Sequence, residues 1–143
     1  MKNLVIAFGM AAALASVAAA QAGKSQTVNG LQIIVVGVQR MEKAFLRDCP
    51  PGTNTVNAVE RPGDKLSVVT LSFKATPDAK NTPMKRPVAT AADGTAYNTS
   101  VQFVDVASKP EYSCEFVYRV PVGTVLKTFK VETATFDLPA PAK

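Results

Sequence analysis

The sequence predicts an all-β protein, an antiparallel β-sandwich of about seven strands set behind an N-terminal signal helix. Three observations carry that prediction. Short runs rich in Val, Ile, Thr, Phe and Tyr recur along the chain with a period of two, the mark of strands buried on one face. Turns containing Pro and Gly separate those runs. No stretch after residue 22 sustains the 3.6-residue period of an amphipathic helix. Successive strands without helices between them pair antiparallel and stack as two sheets, with a small barrel as the alternative closure.

The first element is an export signal over residues 1–22. Lys2 is its only charge, residues 4–10 open an apolar centre that continues into alanines, and Ala20-Gln21-Ala22 ends it. Signal peptidase requires small side chains at the first and third positions before the cut, which Ala22 and Ala20 supply. Cleavage is expected between Ala22 and Gly23; a cut after Ala20 is the nearest alternative. The apolar run is shorter than the ~20 residues that cross a bilayer core. The mature chain is therefore expected to have no membrane span and to reside in the periplasm or outside the cell. At about 120 residues it is one domain in length and long enough to bury a core.

Residues 23–30 are small and polar and read as a flexible leader before a β-domain over residues 31–138. From Leu31 the chain changes character. Ile33-Ile34-Val35-Val36 are consecutive β-branched residues, which favour an extended chain and suggest an interior strand; Gly37 marks a bulge or a close approach. Residues 41–48 extend that strand or make a short helical turn, and Cys49-Pro50-Pro51-Gly52 ends it. Residues 53–64 form a loop closed by the turn Arg61-Pro62-Gly63-Asp64. Residues 65–75 make the clearest strand, with Val69, Leu71 and Phe73 on one face and Thr70, Ser72 and Lys74 on the other. Residues 76–87, with three prolines, form a long loop. Asp93-Gly94 between β-prone stretches signals a hairpin, and residues 95–106 follow as a strand with Tyr97, Val101 and Phe103 on one face. Tyr112, Cys114, Phe116, Tyr118 and Val120 alternate with Ser113, Glu115, Val117 and Arg119; with Tyr97 also on an inward phase, all three tyrosines read as core. Pro121-Val122-Gly123-Thr124 turns the chain into a last strand over residues 125–138. Its apolar phase is odd at Phe129 and Val131 and even at Phe136 and Leu138, which predicts a bulge near Thr133 and Ala134. Residues 139–143 read as a disordered tail.

The motif order of the second half is a β-run at residues 66–73, then Asp93-Gly94-Thr95-Ala96-Tyr97. Phe116-Val117-Tyr118-Arg119-Val120-Pro121 follows and leads into Val131 and Phe136. This order resembles the immunoglobulin-like sandwich domains of exported bacterial proteins, the group that includes secreted mycobacterial immunoprotective extracellular antigens. An apolar strand in that group ends in Phe-x-Val-Pro, to which Val120-Pro121 corresponds. The resemblance covers residues 30–138 and implies an immunoglobulin-like sandwich and an exported location. It implies no catalytic residue. The chain departs from the antibody pattern in having no tryptophan and in placing Cys49 in a charged, proline-flanked segment, while Tyr112-Ser113-Cys114 echoes the Tyr-x-Cys of a tyrosine corner.

Cys49 and Cys114 are the only cysteines. In an oxidising compartment they are expected to pair as a structural disulfide closing a loop of about 65 residues, worth roughly 4 kcal/mol by chain entropy. A redox or metal pair is disfavoured: there is no Cys-x-x-Cys and no histidine. Without histidine, a Ser-His-Asp or Cys-His arrangement is excluded, and no Ser-x-x-Lys or Gly-x-Ser-x-Gly motif offers a substitute. The eleven acids are scattered among loops, as solubility requires, and suggest no catalytic pair. No catalytic residue, cofactor or metal site is therefore expected, and a carboxylate-dependent hydrolase is the least favoured reading. The net charge of +5 is dispersed, without the clustered basic and aromatic residues of a nucleic-acid reader, so no nucleic acid is expected.

What remains is an exported, non-enzymatic, monomeric module that binds a protein partner or serves as an accessory factor of the cell envelope. An envelope inhibitor or assembly chaperone is the alternative. Loops at the ends of a sandwich and its open sheet edges are the accessible parts. The candidate contact surface is the loop 76–87, with Lys80, Met84, Lys85 and Arg86.

Overall fold

A computed structural model describes residues 23–45, 57–99 and 106–142. The expected signal helix and Cys49 lie outside the described residues, as do Val101 and Phe103. The described chain is all-β: β1 (Gln26–Val28), β2 (Leu31–Met41), β3 (Lys43–Phe45), β4 (Asn57–Val59), β5 (Asp64–Ala75), β6 (Val88–Ala91), β7 (Ala96–Asn98), β8 (Glu111–Pro121), β9 (Leu126–Val131) and β10 (Ala134–Asp137). The strands form two four-stranded antiparallel sheets, ordered β1-β2-β5-β8 and β10-β9-β6-β7, with β3 and β4 as a separate two-stranded ribbon. No helix among the described residues is long and apolar enough to cross a membrane.

The chain is a β-sandwich, with ten strands among the described residues where about seven are expected. Each extra strand has a local cause. Asn29-Gly30 takes positive φ at both positions, 50° and 78°, the geometry of the two-residue hairpin turn. Residues 26–28 therefore fold back on β2 with Val28 opposite Leu31, and the expected leader is in part a strand. Residues 57–59, expected within a loop, pair with β3. The expected bulge at Thr133 and Ala134 is instead a hairpin: Glu132 takes a φ of 48° and Val131 pairs with Ala134. The change of apolar phase marks a reversal of the chain, since a two-residue loop lets Phe129 and Phe136 face each other on one face.

Cross-strand register fixes which side chains meet. On the inner face of the first sheet lie Ile33, Phe73 and Tyr112; then Val35, Leu71 and Cys114; then Val38, Val69 and Phe116; then Arg40, Ser67 and Tyr118. The apolar members of these rows are buried. Against them the second sheet presents Ala89, Phe129, Val131 and Phe136, all buried. Phe129 sits edge-on to Phe116 at 5.6 Å and to Tyr118 at 6.2 Å, joining the sheets at the centre of the core. Phe73 and Tyr112 stack at 4.8 Å. Buried large side chains of this kind each contribute about 1.5–3 kcal/mol.

The tyrosine hydroxyls find backbone acceptors, as buried polar groups must. Tyr112 donates to the Val106 carbonyl at 2.8 Å and Tyr118 to the Pro87 carbonyl at 3.1 Å. Burial pushes both hydroxyls above their ordinary pKa. The outer face of the first sheet is apolar at one end: Leu66, Val68 and Val117 are buried there. The β3–β4 ribbon packs beside it, and Arg119 donates to the Val59 carbonyl at 2.9 Å.

Candidate functional site

The turns of a sandwich gather at its two poles. One pole carries Arg61-Pro62-Gly63-Asp64, the Asp93-Gly94 turn and the Val122-Gly123 turn. All three form as their composition requires, with Asp64, Gly94 and Thr124 amides donating three residues back. In the Asp93-Gly94 turn the Thr95 amide donates to the Asp93 carboxylate at 2.9 Å, which holds that carboxyl below its ordinary pKa. A shallow depression of about 640 Å³ lies between the last two turns, lined by Ala92, Asp93, Val122, Thr124 and Lys127.

The other pole carries the loop 76–87, flanked by the Asn29-Gly30 turn, the Glu132-Thr133 turn and the bend after Val106. The loop is long and irregular, yet tied down along its length. At its start the Thr76 amide and hydroxyl both donate to the Gly30 carbonyl, at 2.9 and 2.7 Å. The Ala79 amide returns to Thr76 at 2.9 Å. Asn81 accepts from the Ala107 amide at 3.2 Å, and Glu132 accepts from the Lys85 amide at 2.6 Å. At its end, Pro87 is buried and receives the Tyr118 hydroxyl. The loop also seats tightly on the first hairpin: a β-carbon at Gly30 would lie 2.5 Å from the backbone of Ala79.

This architecture sorts the four expected contact residues. Lys80, Lys85 and Arg86 are exposed. Met84 is 3% exposed and belongs to the core, so it is corrected from contact residue to anchor. Met84 carries the largest apolar side chain of a polar loop, and the core takes it because burying it removes apolar surface from water. The exposed face therefore offers three cations on a backbone fixed from behind. Glu132 and Asn81, which do much of that fixing, went unrecognised in the sequence; contacts between distant turns leave no local signal.

Cys114 is fully buried on the inner face, opposite Leu71. No free cysteine occurs among the described residues. Its expected partner Cys49 lies outside them.

Two further grooves lie along one side of the sandwich, where the edges of the two sheets meet. One, of about 520 Å³, is lined by Gly23, Lys24, Gln26, Val35 and residues 135–139. The other, of about 400 Å³, is lined by residues 36–39, Thr70, Pro139, Ala140 and Ala142. The carboxy-terminal residues, expected to be a disordered tail, dock here: the Ala142 amide donates to the Val38 carbonyl at 2.9 Å, and Ala142 bridges Gln39 in parallel.

No family model matches the chain, and neither does any curated protein. Among solved structures, the chain is similar to an uncharacterized β-sandwich protein from Clostridium difficile 630, at 11% identity and a TM-score of 0.49 over 79% of this chain and 87% of that one.

Proposed function

We propose that the chain is an exported, non-enzymatic, immunoglobulin-like module that meets an acidic protein surface of the cell envelope through Lys80, Lys85 and Arg86. The observation that carries this reading is the fixed loop 76–87. A loop held at Thr76, Asn81, Met84, Lys85 and Pro87 has already lost most of its conformational freedom. A partner then does not have to supply that ordering cost on binding. Its only acid, Asp78, is outnumbered by the three cations, so the surface attracts anionic groups and speeds encounter with them.

The immunoglobulin-like part of the reading is supported by Tyr112. It is the second residue of β8, stands two before Cys114 and donates to the backbone six residues upstream, which is the arrangement of a tyrosine corner. Export is supported by the signal-like residues 1–22.

The test is a photo-activated cross-linking side chain placed at position 80 in the native host envelope, with the same group at Ser113 on the outer sheet face as control. The expected result is one dominant protein adduct from position 80 and none from 113. The Lys85→Glu/Arg86→Glu variant, folded by circular dichroism, should lose the adduct. Equal labelling from both positions, or an adduct unaffected by charge reversal, would overturn the proposal.

A further inference from the structure

The side of the sandwich where the sheets meet is built around strand edges, and edges template the addition of other chains. β2 is paired along its whole length by β5 on one side. On the other side β1 pairs with it only from Leu31 to Ile33. Gly23 and Lys24 run on beside Val35. Past them no strand among the described residues pairs with β2, and those N–H and C=O groups of residues 36–41 that point away from β5 form a strand-accepting edge, with Val36 standing 47% exposed upon it.

The carboxy-terminal residues are laid against that edge. The Leu138 amide donates to Lys127 on β9 at 2.8 Å, and the Ala142 amide to Val38 on β2 at 2.9 Å. The segment therefore crosses from the edge of one sheet to the edge of the other. Successive backbone N–H groups of an extended chain point to opposite sides. Leu138 and Ala142 point theirs inward, so the nitrogens of Pro139 and Pro141, each one residue away, point outward. Those are the positions from which a further strand would draw hydrogen bonds, and proline has none to give. A carbonyl on the same side of β10 is also taken, since Thr135 accepts the Gln26 side-chain amide at 2.5 Å.

From these placements we propose that residues 139–142 are a built-in edge guard: they cover the strand-accepting edge of β2 and deny it to the same edge of a second copy of this chain. The alternation of Pro and Ala serves that purpose, the Ala142 amide facing the sheet and the prolines closing the outside. The guard is light, holding β2 through Ala142 beside Gln39, so removing it leaves the sandwich intact and the edge bare. Two bare β2 edges are complementary across a twofold axis, as antiparallel strands of one sequence always are.

The experiment uses two variants of the mature protein. One ends after Leu138. The other, Pro139→Thr/Pro141→Thr, keeps the guard in place and restores its two outward N–H groups. Light scattering after size exclusion reads the mass, and hydrogen exchange locates the contact. The wild type should remain monomeric across the concentration range. The truncated chain should double in mass, with slower amide exchange at residues 36–40 than in the monomer. The double-threonine variant should also associate, through the guard itself. If the truncated chain fails to fold, the double-threonine variant decides the matter. Both variants remaining monomeric would overturn the proposal, as would association that leaves β2 exchange unchanged.

Discussion

Replacing Gly30 by alanine should damage the protein more than the same change at any other positive-φ glycine, and the excess measures how firmly the loop 76–87 is seated. Two costs arise at Gly30. Its φ is +78°, and a β-carbon in the left-handed region costs about 1–2 kcal/mol. That β-carbon would also lie 2.5 Å from both the Cα and the nitrogen of Ala79 and 2.7 Å from the carbonyl carbon of Asp78. These are backbone atoms, so no side chain can swing away, and forced overpacking adds about 1–3 kcal/mol. The sum is about 2–5 kcal/mol, a fall in Tm of roughly 8–20 °C at ~4 °C per kcal/mol. Gly94 and Gly123 provide the comparison. Their φ values are +86° and +87°, and an added β-carbon meets nothing within 4 Å. Gly94→Ala and Gly123→Ala should therefore cost only the backbone share, about 1–2 kcal/mol. Urea unfolding of the three variants side by side reads the difference. In Gly30→Ala the Thr76 amide, which donates to Gly30, should also lose its protection from hydrogen exchange. If Gly30→Ala is no worse than the other two, the loop does not rest on the hairpin, and the case for a preorganised contact surface fails with it.

Met84→Ala should cost about 2–5 kcal/mol, as for other buried side chains cut to alanine, and thermal unfolding reads it; a change within error of zero would place Met84 on the surface after all. Replacing Cys49 and Cys114 together by serine should cost about 2–5 kcal/mol if they are bonded, and titration of the denatured, unreduced wild type should find no free thiol; two free thiols would refute the pairing. Stability should fall on the alkaline side of pH 10. Burial raises the folded-state pKa of Tyr112 and Tyr118 above the ordinary 10.0, so unfolding releases protons there; their contribution is complete below pH 10 and is lost as the pH climbs through the raised values. In a Tyr97→Phe background, tyrosinate absorbance should rise together with unfolding rather than ahead of it, and ionisation of Tyr112 and Tyr118 without unfolding would contradict their burial.

The strands legible in the sequence were those with a clean period of two and a turn of distinctive composition at each end. β5 and β8 were of this kind, as was the Asp93-Gly94 hairpin. Phe73, Phe116 and Tyr118 were placed in the core by alternation alone, and the register confirms their common face. The hairpin at Glu132-Thr133 was less legible because neither residue is a glycine; Glu132 accepts positive φ, and only the phase change betrayed the turn. The Asn29-Gly30 turn carried the strongest short-range hairpin dipeptide, but the polar residues before it hid β1. At the candidate site the cations Lys80, Lys85 and Arg86 were legible by composition. Their support was not, because Gly30, Ala107 and Glu132 reach the loop from distant points of the chain. Met84 was misplaced for a related reason: period and phase say nothing about a loop residue, so its burial depends on what the loop crosses.

The irregularity in β2 between Val35 and Gly37 has a bearing on sequence comparison. Leu31, Ile33 and Val35 face the core from odd positions, while Val38 and Arg40 face it from even ones. Val36 is the supernumerary residue that exchanges the two sets. A relative that lacked it would carry its inward residues at odd positions throughout, and an ungapped alignment would match the buried residues of one chain to the exposed residues of the other beyond this point. A single-residue gap at Val36 restores the correspondence. Deletion scanning along β2 should show the same thing experimentally: loss of Val36 should be tolerated, because Val38 and Arg40 then continue the inward phase of Leu31, Ile33 and Val35, whereas deletions at Ile33 or Val38 should abolish folding.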